Sequence, residues 1–169
     1  MTVARIHIRV MNSEHSHPVQ CRNCVLLVDD NDDLRQMLCL ALETAGFEVI
    51  DVASQIELQR RLAHIHPDAV VLNLQRSEAD GLPLLTRMRA RQNLSNVPIL
   101  FLSGVDDLDL RFQVLSAGAD WFGVRPIGMI ELQKRVGELV RNGRPAATLV
   151  GAPRAGRRVP RILRLRKTG

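Results

Sequence analysis

The sequence predicts an α/β fold, a doubly wound five-stranded parallel sheet with helices on both faces. Two patterns point there. Short apolar runs alternate with stretches of helical periodicity, five of each, over residues 25–143, and such alternation builds parallel sheets through crossover helices. Nearly every apolar run also ends in a polar residue followed by a loop, and the carboxyl ends of strands in such sheets are where ligands sit.

Val25-Leu26-Leu27-Val28 is a buried-strand run that stops at Asp29-Asp30. Leu34, Met37, Leu38, Ala41 and Leu42 then recur at helical spacing, and Gly46 ends that helix. Phe47 to Val52 is a less apolar strand, expected near an edge. Ser54-x-x-Glu57 is a capping-box pattern that opens a helix carrying Ile56, Leu58 and Leu62, with Pro67 beyond its end. Ala69 to Leu72 is the third strand and ends at Asn73. The loop Glu78-Ala79-Asp80-Gly81 leads into a helix over about 82–92. Val97 to Leu102 is the fourth strand, ending at Ser103-Gly104. A helix spans Asp106 to Ala117, with Gly118 after it. Asp120 to Val124 is a short fifth strand, then Arg125-Pro126, then a last helix from about Gly128 to Arg141.

The chain has 169 residues and a formal net charge of +5, which is unevenly placed. Residues 25–143 carry 12 basic and 17 acidic side chains, a net of −5, whereas residues 144–169 carry eight basic groups and no acid. An acidic domain with a basic tail is the better description. Three segments follow: an N-terminal extension 1–24 and a C-terminal tail 144–169, both expected to be mostly disordered in isolation, around the domain 25–143. No apolar run reaches the roughly 18–20 residues that span a bilayer. The N-terminus lacks the apolar core of a signal peptide. A cytoplasmic protein with reduced cysteines is expected.

Side by side at the strand ends of a parallel sheet, Asp29, Asp30, Asn73, Ser103 and Arg125 would form one constellation. Paired carboxylates can hold Mg²⁺, and a hydroxyl and a cation nearby suit phosphoryl oxygens. The pieces Val28-Asp29-Asp30-Asn31, Pro67 to Asn73, Asp80-Gly81, Leu102-Ser103-Gly104, Gly118-Ala119-Asp120 and Arg125-Pro126 occur in order over about 120 residues. In that arrangement the chain resembles the receiver domain of two-component response regulators. The resemblance implies a flavodoxin-like fold with strand order 2-1-3-4-5. It implies that Asp29, Asp30 and the main-chain carbonyl of Gln75 match the Mg²⁺ ligands, and that Asn73 matches the aspartate that takes phosphate from a histidine kinase. Ser103 and Phe122 match the residues that move on activation. Arg125 stands at the family's lysine, before a bond to Pro126 that is typically cis.

Two positions depart from that pattern. An amide at 73 has no carboxylate to attack a phosphoryl donor, and it removes one anionic metal ligand. Arginine at 125 keeps the charge but replaces a compact ammonium with a planar fork. The expectation is a non-enzymatic, stand-alone adaptor in phosphorelay signalling that works without phosphorylation, requires no cofactor and binds Mg²⁺ weakly. Arg125 is expected to fork onto Asp29 or Asp30, and the Asn73 amide to donate to one carboxylate while accepting from Arg125. By resemblance, a histidine kinase or downstream effector would dock on residues 106–142; a homodimer is also an open expectation.

Other readings compete. The Arg-rich stretch 154–167 would suit nucleic-acid phosphates or an anionic surface, making the protein a tethered regulator. Asp68 or Asp80 would be the substitute acceptor in a phosphotransfer protein. His15, His17, Cys21 and Cys24 place four zinc-ligand types within ten residues. One CxxC is a weak signal, however, and an incidental cluster is the preferred reading. Cys24 and Cys39 are expected to pack in the fold.

Overall fold

A computed structural model describes residues 23–62, 64–73 and 78–144, with residues 78–80 described by their backbone alone. Its elements run β1 (Cys24–Asp29), α1 (Asp32–Thr44), β2 (Glu48–Val52), α2 (Gln55–Arg61), β3 (Ala69–Asn73), α3 (Glu78–Arg89), β4 (Ile99–Ser103), α4 (Leu108–Ser116), β5 (Trp121–Val124) and α5 (Met129–Asn142). All strand pairs are parallel, in the order β2-β1-β3-β4-β5. The expected fold class, strand order and edge position of β2 therefore hold.

Alternation within each strand sorts the core into two layers. Leu26, Val28, Val70, Leu72, Ile99 and Phe101 face Leu58, Leu62, Leu85, Met88 and Val114 from α2, the residue after it, α3 and α4. Val25, Leu27, Val71, Leu100 and Leu102 face Leu38 and Leu42 of α1 and Leu132 and Val136 of α5. Strands β1, β3 and β4 are buried on both faces, which is why they read as unbroken apolar runs.

The helix starts follow local chemistry. Asn31 caps α1 by accepting from the Leu34 amide at 2.9 Å. Ser54 caps α2 through the Glu57 amide, and Glu57 accepts in return from the Ala53 amide. Asp107 caps α4 through the Leu110 amide. Two expectations need correction. Helix α3 begins at Glu78 rather than near residue 82, and it carries Pro83 inside it, past the first turn, where the proline has no amide hydrogen to give to the helix. Ile56 is exposed rather than facing the core with Leu58, since residues two apart in a helix lie about 200° apart around its axis.

An aromatic column crosses the α3–α4 side of the sheet. A Cβ on Gly81 would lie 2.8 Å from the Phe101 ring, so only glycine lets α3 approach this closely. Phe101 and Phe122 stack with centroids 6.1 Å apart, and the Arg111 guanidinium sits 5.2 Å above Phe122.

At the amino-terminal edge of β4 and β5 the sheet is closed by charge. The fully buried Asp120 carboxylate takes Arg89 at 2.6 Å and Arg144 at 2.9 Å, and also accepts from the Ile99 amide. Arg89 spends its other donors on the carbonyls of Leu94, Val97 and Gly118. Burial lowers the Arg89 guanidinium to about 10, opposed by the Asp120 charge. Removing the carboxylate strands two buried cations. Asp120→Ala is therefore expected to cost about 3–5 kcal/mol in urea denaturation, and a loss below about 1 kcal/mol would refute this account.

Candidate functional site

The register brings the predicted strand-end residues together. Asp29 pairs with Asn73, Asn73 with Leu102, and Ser103 with Val124, one residue before Arg125. Asp29 and Asn73 are completely buried and Ser103 almost so. Asp29 is thus shut off from solvent, and the cap of the adjoining helix α1 is Asn31.

The centre of the site is one hydrogen bond. Asn73 Nδ2 donates to Asp29 Oδ2 at 2.6 Å, while Asp29 Oδ1 accepts from the Asn31 amide at 2.9 Å. Only the nitrogen end of an amide can face a carboxylate favourably, which fixes the side chain's orientation. Its other end, Asn73 Oδ1, is buried without a hydrogen-bond partner among the described residues. The expected donation to a carboxylate is present, whereas the expected acceptance from Arg125 is not.

Nor does Arg125 fork onto Asp29: no ion pair joins them among the described residues. The guanidinium instead packs against Gly104, its Nη2 lying 2.8 Å from where a Cβ would be. Its charge still acts on Asp29 through space, lowering that carboxyl. The Arg125–Pro126 peptide bond is cis, as expected.

Burial dominates the Asp29 carboxyl and raises it above its ordinary value of 3.8. The Asn31 and Asn73 donors pull it back, the neighbouring Asp30 charge pushes it up, and the Arg125 charge lowers it. Sequence reasoning missed Arg35, whose Nη1 donates to the Asp29 carbonyl at 3.1 Å while the same guanidinium pairs with Asp32 and Asp51. The i, i+3 spacing of Asp32 and Arg35 was the available signal.

Ser103 turns its hydroxyl into its own loop, donating to the Val105 carbonyl at 2.9 Å and facing the Val105 amide at 3.0 Å. Phe122 is only 8% exposed, inside the aromatic column. Asp68 lies at the opposite end of β3 and accepts from the Cys24 amide at 2.8 Å, too far along the strand to replace residue 73. Cys24 is buried and Cys39 partly so. Gln75, the Asp80 side chain, His15, His17, Cys21 and the segment 154–167 lie outside the described residues.

Among the described residues, no group of three or more acidic, histidine or cysteine side chains is gathered to hold a metal. The remaining donors still suit a hard cation weakly. Asp29 and Asp30 would supply charge, and the unpartnered Asn73 Oδ1 a neutral oxygen. A cation bound there would neutralise the acidic pair. The amide hydrogen that Asp29 Oδ2 already accepts would compete with such a cation.

The family model for the response regulator receiver domain matches residues 25–137. Transcriptional regulatory protein PrrA of Mycobacterium tuberculosis is 37% identical over 124 residues, covering 73% of this chain and 52% of that protein. DNA-binding dual master transcriptional regulator RpaA of Synechocystis is 26% identical over 117 residues, covering 69% and 48%. The chain thus spans about half the length of the curated relatives it matches. Among solved structures, a putative response regulator from Chloroflexus aurantiacus superposes with a TM-score of 0.65 at 30% identity, over 72% of this chain and 99% of that one. A response regulator from Thermotoga maritima gives 0.65 at 25%, over the same shares.

Asn73→Asp would place a second buried carboxyl against Asp29. At neutral pH in a chelator it should lose roughly 2–4 kcal/mol in urea denaturation, the scale of an uncompensated buried charge, and Mg²⁺ should recover much of that loss. Equal stability with and without Mg²⁺ would contradict the geometry. The wild type carries a pH signature as well. A carboxyl whose folded value is raised holds its proton longer when folded, so the stability it contributes is complete below 3.8 and lost as pH rises through the folded value. Asp29→Asn should flatten that fall in urea midpoints measured upward from pH 3.8.

Proposed function

The chain belongs to the family of response regulator receiver domains, and from that premise we propose that it works in two-component signalling as a phosphorylation-independent interaction module. One observation carries the reading: the side chain at the acceptor position is a buried amide hydrogen-bonded to Asp29 at 2.6 Å. Acyl phosphate formation needs a carboxylate oxygen to attack phosphorus and expel the donor's leaving group. An amide oxygen carries no full charge, and its nitrogen lone pair is delocalised into the carbonyl. The same hydrogen bond takes up part of the work of a cation beside the acidic pair, so no cofactor is needed to hold this end of the sheet together.

Without covalent input, output rests on surface. Val105, Leu108, Phe112, Leu115, Met129 and Ile130 are exposed apolar side chains within or beside the 106–142 region. They support docking of a signalling protein, a kinase or an effector, on α4 and the start of α5. The buried Phe122, capped by Arg111, supports one fixed conformation of that surface rather than a switched one.

Incubation with a radiolabelled small phosphodonor and Mg²⁺ tests the reading. Wild type should remain unlabelled, while Asn73→Asp should gain an alkali-labile label. An acid-stable, alkali-labile label on the wild type would overturn it.

A further inference from the structure

Helix α4 presents an apolar stripe that the rest of the described domain leaves uncovered. Leu108, Phe112 and Leu115 recur at i, i+4 and i+7 and so share one side of the helix. Leu108 and Phe112 are 77% and 73% exposed, and Val105 stands just before the helix. A contiguous exposed apolar patch usually marks a contact surface. The stripe's leading end is acidic: Asp106 pairs with Arg111, Asp107 caps the helix, and Asp109 lies in the first turn.

A matching occupant is present in the same chain. Arg144 is fixed at the foot of α4, where its guanidinium reaches Asp120, the Ser95 carbonyl and the Gly118 carbonyl. Gly118 lies two residues beyond the end of α4 at Ser116. The C-terminal segment therefore starts beside this helix. Its stretch 157–167 interleaves Val159, Ile162, Leu163 and Leu165 with Arg157, Arg158, Arg161, Arg164, Arg166 and Lys167, and contains no acid. The nine residues of α4 are roughly 14 Å long. The connection 145–156 spans up to about 40 Å, so reach is not limiting.

We propose that residues 157–167 dock on the α4 face of their own domain. Ile162, Leu163 and Leu165 cover Leu108, Phe112 and Leu115, and the arginines face Asp106 and Asp109. Tethering at Arg144 holds the segment at high effective concentration beside its site. Docking of this kind would make access of any partner to α4 conditional on displacing the tail, yet it holds whether or not residue 73 takes phosphate.

Hydrogen exchange on the full chain decides it, comparing wild type with a variant carrying Leu163→Asp and Leu165→Asp, beside sedimentation at low and high concentration. The expected result is at least fivefold faster exchange across 108–116 in the variant, unchanged exchange in β3 and β4, and a monomer throughout. Two results would overturn the proposal. One is α4 exchange that is the same in both proteins. The other is protection of α4 that grows with concentration alongside a dimer, which would put a second copy on the stripe.

Discussion

Everything at the carboxyl end of this sheet depends on accommodating a buried carboxyl at Asp29. The residue sits at the end of β1, between the edge strand and β3, with no exposure to water. Such a group stays buried only when hydrogen-bonded or compensated by charge. Asn73 meets that need with a neutral donor on the adjacent strand, in register. A second carboxyl there would add repulsion and a need for a cation. The amide meets one oxygen of Asp29 while its own oxygen has no hydrogen-bond partner among the described residues.

The opposite end of the sheet handles a buried carboxylate differently. Asp120 is met by two full positive charges and a backbone amide. There the contacts tie α3, the start of β4, the turn after α4 and the exit from α5 to one point. At Asp29 the nearest cation by sequence expectation, Arg125, remains at a distance and packs on Gly104 instead. The two ends differ in kind: one ties several elements to a single buried carboxylate, while the other carries an amide oxygen without a hydrogen-bond partner among the described residues.

The fold was legible because its strands are buried on both faces and end abruptly in polar residues. Val25 to Val28 and Ile99 to Leu102 admit few other assignments, and the Ser54–Glu57 capping pair is written in the sequence. Membership of the site was legible for the same reason, since strand ends in a parallel sheet become neighbours. What could not be read was reach. Nothing in the chain says that the Arg125 guanidinium packs against Gly104 rather than forking onto Asp29. The Arg89–Asp120–Arg144 clamp was equally hidden: its members are 31 and 24 residues apart and share no periodic pattern. Ile56 was misread because the short α2 carries too few turns for periodicity to fix a face, and the start of α3 because Gly81 and Pro83 inside it read as loop.

The column of Gly81, Phe101, Phe122 and Arg111 places a constraint on the lineage rather than on one molecule. Each member occupies space the next cannot give up: the missing Cβ at 81 admits the ring at 101, which stacks on the ring at 122, which the guanidinium at 111 covers. A descendant that acquired a side chain at 81 would have to shed volume at 101, and the loosened ring at 122 would then lose its fixed seat. These four positions should drift together across related sequences or hardly drift at all. The record of what this surface has been kept for would then be written in paired substitutions along α3, β4, β5 and α4, away from Asn73.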